Sequence, residues 1–408
     1  MMSVIKISSL ENKNMLKKIL IVTEYFYPSD NSTSYYITNI AQKLSEKNIV
    51  KVICNAEIGI SNELNAKNLD IVRVKEVNLN KNNILSRTLK LMISSLRLSI
   101  LVYKNIDTKV EIFSVTNPAF IIIFLAILKK LKNFNSTLLV YDVFPENLIA
   151  AKILKEKSFF YKILKKVYDW AYLKADRLIV IGRDMEEVIR NKTVNSVPII
   201  LIENWCDVAQ VNIRSKRENI LLKKLKIVDK RIFLFAGNLG RVQGIQNMLN
   251  AAELVNDENF LLMFIGDGAM KNEIEEHILD SKKKNVVYAG VYPMSGQNIF
   301  LNACDVAIVS LSDSMYGLGV PSKSYFNMAA AKPILYIGDN SSEIARVIDE
   351  NNIGWIVENN NSVELAKKFN EISETPSTFL DDLGIRAREV VANKYSQEII
   401  LKKYDELY

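Results

Sequence analysis

The chain has 408 residues, 49% of them hydrophobic and 24% charged, with a formal net charge of +7. That length suits two or three domains with sizeable cores, and the mild positive balance suits an anionic ligand or an anionic membrane face rather than nucleic acid. Three scattered cysteines without a Cys-x-x-Cys pair argue against a disulfide framework or a zinc knuckle, and the single histidine excludes a multi-histidine metal centre.

In chain order, residues 1–16 read as an extension before the fold, either disordered or preceding a start at Met15, with no secretory signal visible. "KKILIVTEYFYP" then reads as a first core strand, followed by a polar loop suited to acceptor contacts. Further strands are predicted near 50–54, 70–74, 111–115, 137–141, 178–181 and 199–202, with amphipathic helices between. On the segment 83–104, Arg87, Lys90, Ser94, Arg97 and Lys104 share one helical sector. Two readings fit: a helix lying on an anionic membrane, or one packed on the sheet with a solvated basic face. The run Ala119–Leu128 is too short to span a bilayer alone. "YDVFPENLIA" places Asp142 and Glu146 after a strand, either as site carboxylates or as loop and helix caps.

The plan restarts at "RIFLFAGNLGRVQG", with strands near 232–236, 261–265, 286–289, 305–309, 333–337 and 354–357. Alternating strands and helices of this kind predict two doubly wound, Rossmann-like α/β domains facing across a cleft, with ligands beyond the carboxyl ends of the strands. The expected borders are 17–205 and 206–385, with a final helix, 386–408, folding back across the seam. The loop holding Asn238, Gly240 and Arg241 reads as a phosphate cradle or as a plain strand-to-helix turn. "VVYAGVYP" offers Val291 and Tyr292 as flanks for a base, or forms a buried turn. In "GVPSKSYFNMAAAKPIL", Ser322 suits a helix cap, but Lys323 opposes the helix dipole there unless an anion binds. Arg241 and Lys323 together fit a diphosphate clamp.

"GNLGRVQG", "FIGDGAMKNEIEE", "VVYAGVYP", "GVPSKSYFNMAAAKPIL" and "SSEIARVIDENNIGWIVE" occur here in one order, preceded by "YDVFPENLIA" and "IENWCD". So arranged, the chain resembles glycosyltransferase family 4, and within it bacterial polysaccharide and O-antigen enzymes such as N-acetylfucosaminyl transferases. The resemblance implies a GT-B fold and a retaining transfer from a nucleotide-sugar donor, here UDP-linked, with no metal and no cofactor. It also implies a polyprenyl-diphosphate-linked glycan acceptor and a cytoplasmic, membrane-peripheral location in O-antigen or capsule synthesis. It matches Arg241, Lys323, Gly240 and Ser322 to the donor diphosphate, Val291 and Tyr292 to the base, and Asp142 and Glu146 to the acceptor side. Two glutamates common in the family are replaced by Leu318 and Phe326, with Glu343 a substitute; Asn31 and Ser32 stand near a missing glycine pair on the acceptor side. A GT-B nucleotide-sugar epimerase and a non-catalytic sugar-binding scaffold of an assembly complex are the alternative readings.

Overall fold

A computed structural model describes residues 16–56, 64, 66–75, 84–107 and 109–408. Residues 1–15 of the expected extension, and Asn83 at the head of the expected basic helix, lie outside the described residues.

The first sheet has seven strands: β1 (Lys18–Val22), β2 (Ile49–Ala56), β3 (Leu69–Lys75), β4 (Val110–Val115), β5 (Asn135–Val140), β6 (Arg177–Val180) and β7 (Ile199–Leu201). Its helices are α1 (Ser32–Ser45), α2 (Ile84–Asn105), α3 (Ile121–Leu131), α4 (Glu146–Ala150), α5 (Phe159–Tyr172) and α6 (Arg183–Lys192). After α7 (Ile220–Leu225) comes the second sheet: β8 (Arg231–Ala236), β9 (Phe260–Ile265), β10 (Val286–Tyr288), β11 (Val306–Ser310), β12 (Ile334–Ile337) and β13 (Gly354–Val357). Around it run α8 (Ile245–Leu254), α9 (Lys271–Asp280), α10 (Gln297–Leu301), α11 (Lys323–Ala329) and α12 (Glu343–Asn351), then α13 (Ser362–Glu374), α14 (Ser377–Lys394) and α15 (Gln397–Asp405).

Every strand pair in both sheets is parallel. Parallel strands covered by helices on both faces read as unbroken apolar runs rather than alternating ones. That is why "FLLMFI" is buried along the whole of β9. The strand orders are β3-β2-β1-β4-β5-β6-β7 and β10-β9-β8-β11-β12-β13. In each sheet the winding reverses beside the first strand, at β1/β4 and at β8/β11, and this is where a crevice opens beyond the strand ends.

The chain returns to the first domain at its end. Cys206 and Ser396 form a parallel bridge, and α15 lies along α1. Lys47 pairs with Asp405 at 2.5 Å and Lys403 with Glu203 at 2.6 Å. The Tyr404 ring meets Trp205 edge-on, 6.0 Å between centroids. The three cysteines are buried and unpaired.

Candidate active site

The two crevices face one another and form a cleft of about 680 Å³, within the size range of small-molecule sites. The first domain supplies Asp30 and Asn31 from the loop after β1, Ser32 and Tyr36 from α1, Tyr141 and Asp142 after β5, and Asn204. The second supplies Gly237, Asn238 and Gln243 after β8, Gln297 from α10, and Ser322 and Lys323 at the start of α11. The domains touch around the rim. Val143 N–H donates to the Leu318 carbonyl at 3.1 Å, and Met294 N–H donates to the Asp30 carboxylate at 3.2 Å. The Tyr35 ring meets Phe326 edge-on at 5.6 Å.

Lys323 is the unusual residue of this cleft. Its ammonium nitrogen is buried and has no hydrogen-bond partner among the described residues. It sits 3.5 Å from the centroid of the Phe235 ring. Burial pushes its pKa down to about 7, because a charge without a partner is costly away from water. Beside it the backbone turns through Gly237, at φ +130°. A Cβ on neighbouring Gly266, at φ +133°, would lie 1.8 Å from the Gly237 carbonyl oxygen. Gly266→Ala is therefore expected to cost about 1–3 kcal/mol through backbone strain, read as a lowered Tm, and to displace the turn that flanks Lys323.

Asp142 is held from the opposite domain. The Thr116 hydroxyl oxygen accepts from the N–H groups of Tyr141 (3.2 Å) and Asp142 (3.1 Å), and the Tyr172 hydroxyl donates to the Asp142 carbonyl at 3.5 Å. Burial pushes the carboxyl pKa up to about 6, against a lowering contribution from Asn117. Its Oδ1 faces Gly319, where an added Cβ would lie 3.8 Å away.

Asn31, Ser32, Asp142, Asn238, Ser322 and Lys323 thus line one cleft. Asn31 also serves the fold, since its side-chain oxygen accepts from Ser34 N–H at 2.9 Å and caps α1. Ser322 does not cap α11, because its own backbone is already helical and its side chain makes no capping bond.

Other expected site residues fall elsewhere. Ser312 N–H donates to the Val242 carbonyl at 2.8 Å, and Val242 and Gln243 line the cleft while Arg241 is left exposed outside it. The expected clamp of two cations reduces here to Lys323. Gly240 is buried within the same turn. Val291 is 62% exposed and Tyr292 packs against Phe300 at 6.3 Å; neither lines the cleft.

Glu146 is drawn away from the cleft by two lysines. Lys192 bonds both its oxygens, at 2.7 and 2.9 Å, and Lys165 one of them at 3.1 Å. Glu343 is buried and paired across the domain border. It accepts the Arg183 N–H at 2.7 Å and the Arg183 guanidinium at 3.0 and 3.1 Å. Leu318 is buried and Phe326 is a wall of the cleft, so neither replaced glutamate position carries a polar group.

Sequence reasoning missed the neutral polar residues of the cleft. Gln243 Oε1, Asn204 Oδ1 and the Tyr141 hydroxyl are buried there without partners among the described residues. Buried polar groups are almost always paired, so these atoms await a ligand or water. The available signal was an amide in each of two loops that follow strands, "GRVQG" after β8 and "IENWCD" after β7. Among the described residues no group of three or more His, Cys, Asp or Glu is placed to hold a metal ion.

Two parallel-sheet domains closing on a cleft are the architecture of the GT-B fold. The chain belongs to the group 1 glycosyl transferases: residues 216–390 match that family, and a relative matches along nearly its full length. This relative, a probable glycosyltransferase of Pseudomonas aeruginosa called WbjE, is 37% identical over 95% of this chain and 97% of its own. Solved structures are similar in fold. The Anabaena protein Alr3699/HepE, in complex with UDP-glucose, superposes with a TM-score of 0.70 at 12% identity over 96% of this chain and 98% of its own. WaaG, a glycosyltransferase involved in lipopolysaccharide biosynthesis, gives 0.68 at 13% identity over 95% and 99%. The protein is accordingly a glycosyltransferase.

Proposed function

We propose that the protein moves a sugar, with retention of configuration, from a uridine-diphosphate sugar to a lipid-linked glycan during bacterial surface polysaccharide synthesis. The carrying observation is the buried, unpartnered Lys323 ammonium in the interdomain cleft. A diphosphate is the ligand that satisfies it. The UDP-glucose complex of a protein with this fold supports the choice of donor, and the lipopolysaccharide role of another supports the acceptor class.

As the bond from the anomeric carbon to the diphosphate breaks, negative charge grows on the departing phosphate. A preorganised ammonium in a site poor in water lowers the energy of that state. The acceptor hydroxyl forms the new bond on the same face of the sugar, and its proton passes to the leaving phosphate oxygen. Asp142 stands on the acceptor side. With its pKa near 6 it is ionised at neutral pH and accepts a hydrogen bond from a sugar or acceptor hydroxyl. Lys323 supplies the positive charge in this scheme, so neither a metal nor a cofactor is called for.

A thermal-shift panel of UDP-, GDP- and dTDP-sugars tests the donor. A UDP-sugar at about a hundred times its Kd is expected to add about 2.7 kcal/mol of stability, with smaller shifts from the other two. Release of UDP, with the sugar recovered on a polyprenyl-diphosphate glycan, tests the acceptor. A shift from GDP- or dTDP-sugars alone refutes the donor, and sugar transfer only to water refutes the acceptor.

A further inference from the structure

One face of the first sheet is covered by α2, α3 and α5 side by side, α3 touching both others. Of these, α2 buries Leu98 and Val102 in the core together with three serines. Ser94, Ser95 and Ser99 are buried against the sheet, Ser94 taking the Asn55 amide at 2.8 Å. Leu89, Met92, Leu96, Ile100 and Tyr103 are exposed, at a spacing that makes one outward stripe. A surface helix in water ordinarily carries its one apolar stripe on the buried side, without a second one facing outward. Of the sector expected over 83–104, Arg87, Arg97 and Lys104 are exposed, while Ser94 is buried toward the sheet, and the apolar stripe is exposed as well.

The same face continues across α5. Ser158 caps that helix by accepting from Tyr161 N–H at 3.1 Å, which leaves Phe159 and Phe160 in its first turn, 79% and 66% exposed. On α3, Leu131 is 69% exposed. Apolar surface of this extent outside a core marks a contact site. Its charge is predominantly positive, with Glu156 exposed between Lys155 and Lys157. α2 and α3 contain no Asp or Glu, and the lone acid of α5, Asp169, is held by Lys165 at 2.8 Å and Lys192 at 2.5 Å. Lys104, Lys130, Lys155, Lys157, Lys162 and Lys166 are exposed around the apolar residues.

We infer that this three-helix face docks the protein on an anionic lipid bilayer, with Phe159 and Phe160 entering the acyl boundary and the lysines meeting lipid phosphates. An apolar surface rimmed by cations fits an anionic interface, whereas a second copy of the chain would set like charges against each other. No helix among the described residues is long and apolar enough to cross a membrane, so the contact is interfacial. The surface stands apart from the cleft, and the inference does not depend on the reaction assigned there. It has a link to the cleft all the same: Lys165 of α5 bonds Glu146 of α4, just downstream of Asp142.

The test is flotation of the full chain with vesicles of phosphatidylcholine and phosphatidylglycerol, beside vesicles of phosphatidylcholine alone. Binding to the anionic vesicles is expected to be at least about tenfold stronger and to weaken with salt. Phe159→Ser with Phe160→Ser, and Lys155→Glu with Lys157→Glu and Lys162→Glu, are each expected to reduce it about tenfold or more, with Tm and the UDP-sugar shift unchanged. The inference is overturned by a wild type that does not float, by variants that float like it, or by a dimer in sedimentation velocity that the Phe variants dissolve without changing flotation. A failed flotation with an intact UDP-sugar shift removes the docking face and leaves the transferase reading standing.

Discussion

Lys323→Met is expected to lower kcat/KM by about 10²–10³-fold, the scale seen when one preorganised transition-state donor is removed, while Tm stays level or rises. Methionine fills similar space over the Phe235 ring and asks for no partner. The native ammonium is buried without one, so its removal relieves a penalty in the free protein. The pH dependence carries the same signature. The folded-state pKa lies near 7, below the ordinary lysine value of 10.5. Between those values the unfolded chain binds more protons, so wild-type stability rises with pH across that window. The burial penalty is fully present below pH 7 and fades above it; the Met variant loses that rise. Diphosphate binding acts oppositely, because the bound anion favours the protonated amine. UDP affinity should therefore weaken from pH 7 to 9 in the wild type and not in the variant. Calorimetric titration across that range decides the matter: equal slopes, or turnover within about threefold of wild type, would remove Lys323 from the donor site.

The second large effect falls on stability. Lys192 is 2% exposed in its side chain and neutralises both Glu146 and Asp169, at 2.7 and 2.5 Å. Its nitrogen also lies 5.3 Å from the centroid of the Tyr172 ring, and the Tyr172 hydroxyl braces the Asp142 carbonyl. Deleting one partner of a buried ion pair costs about 3–5 kcal/mol. Both carboxylates are about a fifth to a quarter exposed and regain some hydration, so Lys192→Met is expected to cost about 2–3 kcal/mol. Denaturant unfolding measures it. The chemical step should change little in the variant that remains folded. A large loss of kcat with unchanged stability would return Glu146 to a direct role in catalysis.

Both sheets were legible in the sequence because each strand is a short, unbroken apolar run between helices, the pattern that parallel strands buried on both faces impose. Lys323 was legible for a local reason: a cation entering a helix is unfavourable unless something answers it. Glu146 and Glu343 were not, because their partners are remote. Lys192 lies 46 residues from Glu146, and Arg183 lies 160 from Glu343. Nothing near either glutamate in the chain reveals that its charge is already answered. Arg241 failed differently: a glycine-rich turn is visible in sequence, but the direction of each side chain on it is set by which carbonyl the neighbouring loop grasps. On α2 helical spacing places Ser94 with the cations, and its burial was not legible because its partner Asn55 lies 39 residues away.

Between the domains the backbone passes outward near Cys206 and back near Ser396, and these two passages run alongside one another as a bridged pair. The chain therefore crosses between the domains at one place, and an opening of the cleft at the Asp30–Met294 rim would turn about that place, carrying Lys323 and Asp142 apart.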